Sequence, residues 1–333
     1  MAVVFAGVRR MTRSVTGRLA NKRKQNGKEK DEEWDEEDEE SAGNVVGRVR
    51  KRAKKDNWPG IRTRSSPIQL ARCINVLSLE QRIIVKRMGF GRLLKFKVDG
   101  LPAKLANYVV ERFNPLDMEI NLSCGKIKVD TKAIHKLIGI PRGGVHLSSL
   151  PKVEPKDEAV TKWRDMFSGR YVPPTKKVDM IETSDGEDNF NFRMDFLMCF
   201  VTLMIDCHKQ GCLRPWILGH ITSDMDFSKI DWCQFVLEKL KKCKNGWKSN
   251  DPNRLFTAAL TILVLLYVDR VRCEGMDVDY SIYPVTFWTK QKLKQRQLLE
   301  IRKGAFGTGK LKAQTVCEEF RMMMKQLYRY VQK

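Results

Sequence analysis

Apolar positions recur at helical spacing along most of the chain from residue 78 onward, and that periodicity predicts a mainly α fold. Ser78-Leu-Glu-Gln81 has the spacing of a capping box, and Leu79, Ile83, Ile84 and Met88 follow at helical intervals until Gly89 and Gly91. A second helix is expected over Pro102–Phe113, with Leu101, Leu105, Tyr108, Val109 and Phe113 as its apolar stripe. Alternation then switches to period two. Met118–Leu122 and Lys126–Val129 read as a short hairpin around a Ser-Cys-Gly turn. Asp130 or Thr131 caps a helix carrying Ile134, Leu137 and Ile138, which Gly139 and Pro141 stop.

Residues 141–190 are patterned more weakly, with one short helix expected over Pro155–Phe167 and a polar loop through Asn189. Three helices follow: Arg193–Ile205, apolar almost all round; Ile230–Lys244, with one apolar face; and Pro252–Val271, capped by Asp251. Lys290–Lys303 and Lys312–Gln332 close the series. The organisation expected is a multi-helix body with one small β-hairpin and a charged, disordered N-terminal tail. Its segments are a tail over 1–66, a helix–hairpin–helix unit over 75–150, a linker with a short helix over 151–190, a helical unit over 191–275 and basic helices over 286–333. The longest apolar run, Leu255–Val268, is shorter than the roughly 18–20 residues a bilayer crossing takes, so no membrane partner is expected.

Charge sharpens this picture. The 333 residues carry 62 Lys+Arg against 40 Asp+Glu, a net of +22. Only +6 of that lies in residues 1–66, and residues 286–333 alone hold +9. The tail alternates in sign, from Lys22-Arg23-Lys24 through the acidic stretch Glu29–Glu40 to Arg48-Val-Arg50-Lys51-Arg52-Ala-Lys54-Lys55. Such blocks do not bury enough apolar surface to fold, and the two basic clusters read as nuclear-import signals. The expected location is therefore the nucleus. A plastid or mitochondrion is the alternative, because residues 1–28 are rich in Arg, Ser and Thr and lack acids. On the C-terminal body, Lys290, Lys292, Lys294, Arg296, Arg302 and Lys303 are the candidate contacts to a polyanion, with nucleic acid or acidic nuclear proteins as partners.

Catalytic and metal chemistry find no support. The nine cysteines include no C-x-x-C pair and read as reduced thiols. Cys207, His208, Cys212 and His220 lack the paired hooks of a structural zinc site, so neither metal nor cofactor is expected. The stretch Gly304-Ala-Phe-Gly307-Thr-Gly309-Lys310 lacks both the preceding strand and the spacing of a phosphate loop. Val178, Met180 and Ile181, followed by acids and Ser184, outline a SUMO-interacting segment that would add as a strand to a sheet edge. Oligomeric state is not legible.

Several stretches together carry a family resemblance: Arg87–Leu94 (RMGFGRLL), Leu101-Pro102, Val109–Pro115 (VVERFNP), Ile127–Thr131 (IKVDT), Leu137–Gly144 (LIGIPRGG), Ile230–Leu237 (IDWCQFVL) and Leu263–Arg270 (LVLLYVDR). In order and spacing they resemble uncharacterised plant transposon-derived proteins of the plant mobile domain, or aminotransferase-like, type. They also resemble the region that precedes ubiquitin-like-specific cysteine protease domains in Mutator-like elements. The resemblance implies a helical, nuclear, host-captured domain of unknown biochemical activity, and with the basic charge the expected function is a non-enzymatic nuclear protein that binds nucleic acid or chromatin partners through charge. The alternative it implies is the accessory N-terminal region of a SUMO protease whose catalytic domain is absent. The protease's His-Trp pair is not found, and Asp206-Cys207-His208 only imitates its Asp-Cys-Gly.

Overall fold

The helix nearest the centre of the fold is the least amphipathic one. Leu260–Arg270 (α9 in the order below) buries every residue from Leu260 to Val268, as a helix apolar on all sides must. The computed structural model describes residues 58–151, 157–166, 173–184, 187–207, 219–249, 251 and 255–312. In chain order these form α1 (Pro67–Asn75), α2 (Leu79–Val85), α3 (Ala103–Arg112), β1 (Phe113–Asn114), β2 (Glu119–Leu122), β3 (Gly125–Lys128) and α4 (Thr131–Ile138). There follow α5 (Glu158–Asp165), α6 (Pro174–Glu182), α7 (Phe190–Phe200), α8 (Trp232–Gly246), α9, β4 (Val271–Arg272), α10 (Pro284–Phe287), α11 (Lys290–Arg302) and β5 (Lys310–Leu311). The fold is mainly helical with small antiparallel sheets, as the periodicity implies.

Local chemistry sets many of the boundaries. Ser78 and Gln81 form the reciprocal capping box at the start of α2. Asp130 caps α4 by accepting from the Ala133 amide, and Gly139 ends that helix in the left-handed region at φ +69°. Strands β2 and β3 pair Ile120 with Ile127 across a two-residue turn, and β1 extends them to three strands.

Tertiary pairing moves other boundaries. The helix expected from Pro252 begins only at Leu260, because the chain before it is extended: Phe256 N donates to Arg62 O at 2.9 Å, and Cys207 N donates to Thr257 O at 2.8 Å. Residues 58–66, drawn above as the end of the tail, are tied into the body. Ile61 N donates to Ala103 O, and Thr63 bridges Phe256. Order also begins before Ser78, since α1 buries Leu70, Ala71, Cys73 and Ile74 behind Pro67 at its first turn. One apolar core runs from Leu70 to Phe306, with α7 and α9 at its heart. Among the described residues no helix is long and apolar enough to cross a membrane. Residues 313–333, where a final helix is expected, lie outside the described part.

Candidate functional site

The third clear anomaly of the fold, after the central helix and its late start, is a polar network sealed in the core. Helix α9 presents Tyr267 inward near its end, and α11 places Arg296 and Glu300 one turn apart on its inner face. All three are buried, at 0%, 0% and 2% exposure. The Tyr267 hydroxyl donates to Glu300 Oε2 at 2.5 Å, and Arg296 Nε donates to Glu300 Oε1. The glycine-rich turn closes the network from the other side, its Gly307 amide donating to the Tyr267 oxygen at 2.8 Å and to Glu300 Oε2 at 3.0 Å. Gly307 sits at φ +74°, and a Cβ there would collide with the Tyr108 hydroxyl. The glycines of this turn therefore serve close packing. The Gly307 amide that a phosphate loop would need is already occupied.

Electrostatics follow from the burial. Burial, reinforced by the neighbouring Glu300 carboxylate, pushes the Tyr267 phenol far up, so it stays neutral. Burial pulls Arg296 down, but Glu300 and Tyr267 outweigh it and the guanidinium is held more firmly charged than usual. Arg296 Nη1 and Nη2 nevertheless have no hydrogen-bond partner among the described residues. Cys273 and Tyr280, in the segment after β4, lie close enough to feel its charge.

Outside this network β4 and β5 form a two-stranded antiparallel ribbon. Arg272 faces Lys310 directly, and Lys312 N donates to Arg270 O at 2.8 Å, continuing the ladder. Val271, on the opposite face, is buried. Arg272 and Lys310 are exposed and share one face. Beside them the Tyr280 ring receives the Lys312 ammonium at 4.3 Å and the Arg272 guanidinium at 5.6 Å from its centroid. Lys303 pairs with the exposed Glu274 at 3.5 Å.

The polyanion candidates named from sequence separate in the structure. Arg296 is core, which corrects its assignment to a contact surface: its spacing from Glu300 turns it inward. Lys290 packs along Gly100, Lys292 lies 3.5 Å from the centre of the Phe287 ring, and Lys303 holds Glu274. Lys294 and Arg302 are exposed on the surface of α11. The pairing of Arg272 with Lys310 has no signature in the sequence, because a two-residue strand leaves no periodic signal. The import clusters Lys22–Lys24 and Arg48–Lys55 lie outside the described residues.

The segment outlined as SUMO-interacting is helical, and this is a second correction. Val178 and Ile181 belong to α6 and are buried, with Met180 half-exposed. A helix with its apolar residues in the core does not present an extended strand to a sheet edge. The same helix carries a fully buried lysine. Lys177 Nζ donates to Asp195 Oδ1 at 2.8 Å, and Trp163 Nε1 donates to the same oxygen at 2.7 Å. Burial holds the Asp195 carboxyl above the usual aspartate range against the opposing pull of Lys177 and Trp163. Cys199, hydrogen-bonded to Cys73 and fully buried, is also raised. At Asp206-Cys207-His208, Asp206 is held by Lys239 at 2.8 Å and Cys207 is buried. His220 Nδ1 lies 3.0 Å from Leu150 O. Among the described residues no group of three or more His, Cys, Asp or Glu is placed to hold a metal ion.

Comparison with known proteins changes the family assignment. The model for a domain of unknown function, DUF8566, matches residues 63–264. The cargo-transport protein YPP1 of Candida glabrata is similar at 22% identity over 153 residues, which is 42% of this chain and 18% of that protein. The chain thus spans under a fifth of the length of that relative. No solved structure matches. These findings overturn the resemblance to plant mobile-domain and protease-linked transposon proteins. With it fall the nuclear, transposon-derived function and the accessory-protease alternative drawn from it. The motifs that suggested both are mostly Gly, Pro and apolar residues, which encode packing more than ancestry. By the match over residues 63–264, this chain belongs to the DUF8566 family.

Proposed function

We propose that this chain is a non-catalytic binding module acting in cargo transport, whose basic ribbon grips an acidic stretch of a partner protein. The observation that carries the binding role is the direct opposition of Arg272 and Lys310 across β4 and β5. Two cations side by side on one exposed face are complementary to the carboxylates of an acidic segment laid along it. Tyr280 supplies an aromatic surface between Arg272 and Lys312. The transport setting is supported by the similarity to the Candida glabrata cargo-transport protein.

Two measurements test the reading. A Glu-rich peptide titrated into the full chain should bind saturably and weaken with salt, and Arg272→Glu with Lys310→Glu should cut affinity at least about tenfold. Equal affinity in the charge-reversed variant would remove the ribbon from the proposal. Depleting the protein in its own organism should slow delivery of a marker cargo, and unchanged delivery would remove the transport role.

A further inference from the structure

Arg296 has more donors than its surroundings use. Its guanidinium offers five N–H groups, and Nε alone is engaged, by Glu300. Nη1 and Nη2 are buried without a hydrogen-bond partner among the described residues. Desolvating such donors unpaired costs on the order of several kcal/mol, so a fold that keeps them there needs something to offset the loss. Glu300 does not do so, since its Oε2 is taken by Tyr267 and Gly307 and its Oε1 by Nε. The ring of Tyr267 stands 5.6 Å from the guanidinium carbon and blocks one side.

We propose that the Nη1/Nη2 edge of Arg296 is the receptor for a carboxylate, reached when the segment Cys273–Tyr283 lifts away. The two Nη groups form a planar fork whose spacing matches the two oxygens of one carboxylate. Charge favours a monoanion. Glu300 already balances Arg296, so each further negative charge on the ligand is opposed by that carboxylate. A phosphate dianion would bring a second charge toward Glu300 and toward the acids Glu274, Asp277 and Asp279 of the covering segment.

The covering segment carries no helix or strand of its own. Regular structure ends at Arg272 and resumes at Pro284, and the segment's backbone turns are local: Met276 N to Cys273 O at 3.3 Å and Ile282 N to Asp279 O at 3.5 Å. Met276, Val278 and Ile282 rest against the core as partly buried apolar contacts, which would hold the closed state. Cys273 is buried at the near end of the segment, beside the guanidinium, and reports on opening. This site stands independently of the ribbon and of the transport role.

Thermal unfolding of the full chain would be followed against acetate, against a short peptide with one glutamate and blocked termini, and against chloride and inorganic phosphate at matched ionic strength. The expected result is a saturable rise of the midpoint with acetate or the peptide and none with chloride or phosphate. Response to acetate alone marks a free small carboxylate as the ligand, whereas response to the peptide marks a side chain. The double variant Arg296→Met, Glu300→Gln, which leaves neither charge buried alone, should lose the response. If that variant does not fold, alkylation of Cys273 in the native wild-type chain gives a second reading and should speed up several-fold with the responding carboxylate, which favours the lifted state. A wild type indifferent to both carboxylates, an equal response to phosphate, a response retained by the double variant, or an unchanged Cys273 rate would each overturn the proposal.

Discussion

The backbone amide of Leu105 donates to Oε1 of Gln297 at 3.0 Å, across 192 residues of sequence. Helix α3 begins after Pro102, which has no side-chain acceptor, so one of its orphan first-turn amides is capped from α11. Both residues are buried. Gln297→Ala leaves that amide without its partner and should cost about 1–3 kcal/mol in urea-induced unfolding. Gln297→Glu keeps an acceptor and should cost less. A loss below about 0.5 kcal/mol for the alanine variant would mean that water replaces the cap.

Lys177 and Asp195 form a buried ion pair, and removing one partner strands the other. Lys177→Met should destabilise the fold by about 3–5 kcal/mol, whereas Lys177→Met with Asp195→Leu should recover more than half of that. Asp195 also fixes a pH dependence. Its folded pKa is raised by burial, so the native state binds more protons than the unfolded state just above the ordinary aspartate range. This contribution to stability is full below the unfolded pKa and is lost as pH rises through the raised folded value. The wild type should thus lose stability relative to Asp195→Asn as pH rises through that window. A gain instead would show that Lys177 outweighs burial.

Gly139 and Gly143 both hold positive φ, at +69° and +79°, but their surroundings differ. A Cβ on Gly139 would fall 2.4 Å from the Arg92 side chain, which donates to His135 O and stacks on Tyr283. A Cβ on Gly143 meets nothing within 4 Å. Gly143→Ala should cost only the left-handed backbone preference, about 1–2 kcal/mol, and Gly139→Ala distinctly more. Equal midpoints in thermal unfolding would show that Arg92 moves aside freely.

Thiol chemistry should separate the described cysteines. Cys73, Cys199 and Cys233 are fully buried, and the Cys199 and Cys233 thiols are pushed up, by burial in the case of Cys233 and first by the bond to Cys73 in that of Cys199. Native-state alkylation read by peptide mass mapping should spare these three and mark Cys124 or Cys243 first, both of which are partly exposed. Rapid labelling of Cys233 in the native state would contradict its place against Ile140 O.

Removing the Tyr267 hydroxyl tests the sealed network. Tyr267→Phe deletes a donor to Glu300 and an acceptor for Gly307, while Gly307 N keeps its bond to Glu300 Oε2 at 3.0 Å. The expected loss is about 1–2 kcal/mol by chemical unfolding. A neutral result would show that the network reorganises around the missing oxygen.

Helix class, the capping box at Ser78, the Asp130 cap, the Gly139 stop and the Ile120–Ile127 hairpin face were all legible in the order of residues. Each depends on groups a few positions apart, whose geometry is fixed before the rest of the chain arrives. The helical state of Val178–Ile181 was not legible. A four-residue stretch with three apolar positions suits a strand or a helix equally, and α6 packs it against α1 and α7. The late start of α9 was hidden for the same reason, because Arg62 and Thr63 claim Phe256 from almost two hundred residues away.

The candidate site divides along the same line. Net basicity, the lack of paired metal hooks and the apolar character of α9 are properties of composition and local order. The inward turn of Arg296, its partnership with Glu300 and Tyr267, and the facing of Arg272 against Lys310 arise when α9, α11 and the glycine turn converge. A lysine or arginine carries the same symbol whether solvated or buried. Burial and pairing depend on what the rest of the chain brings beside it, so the fold alone sorted these cations into core, ribbon and surface.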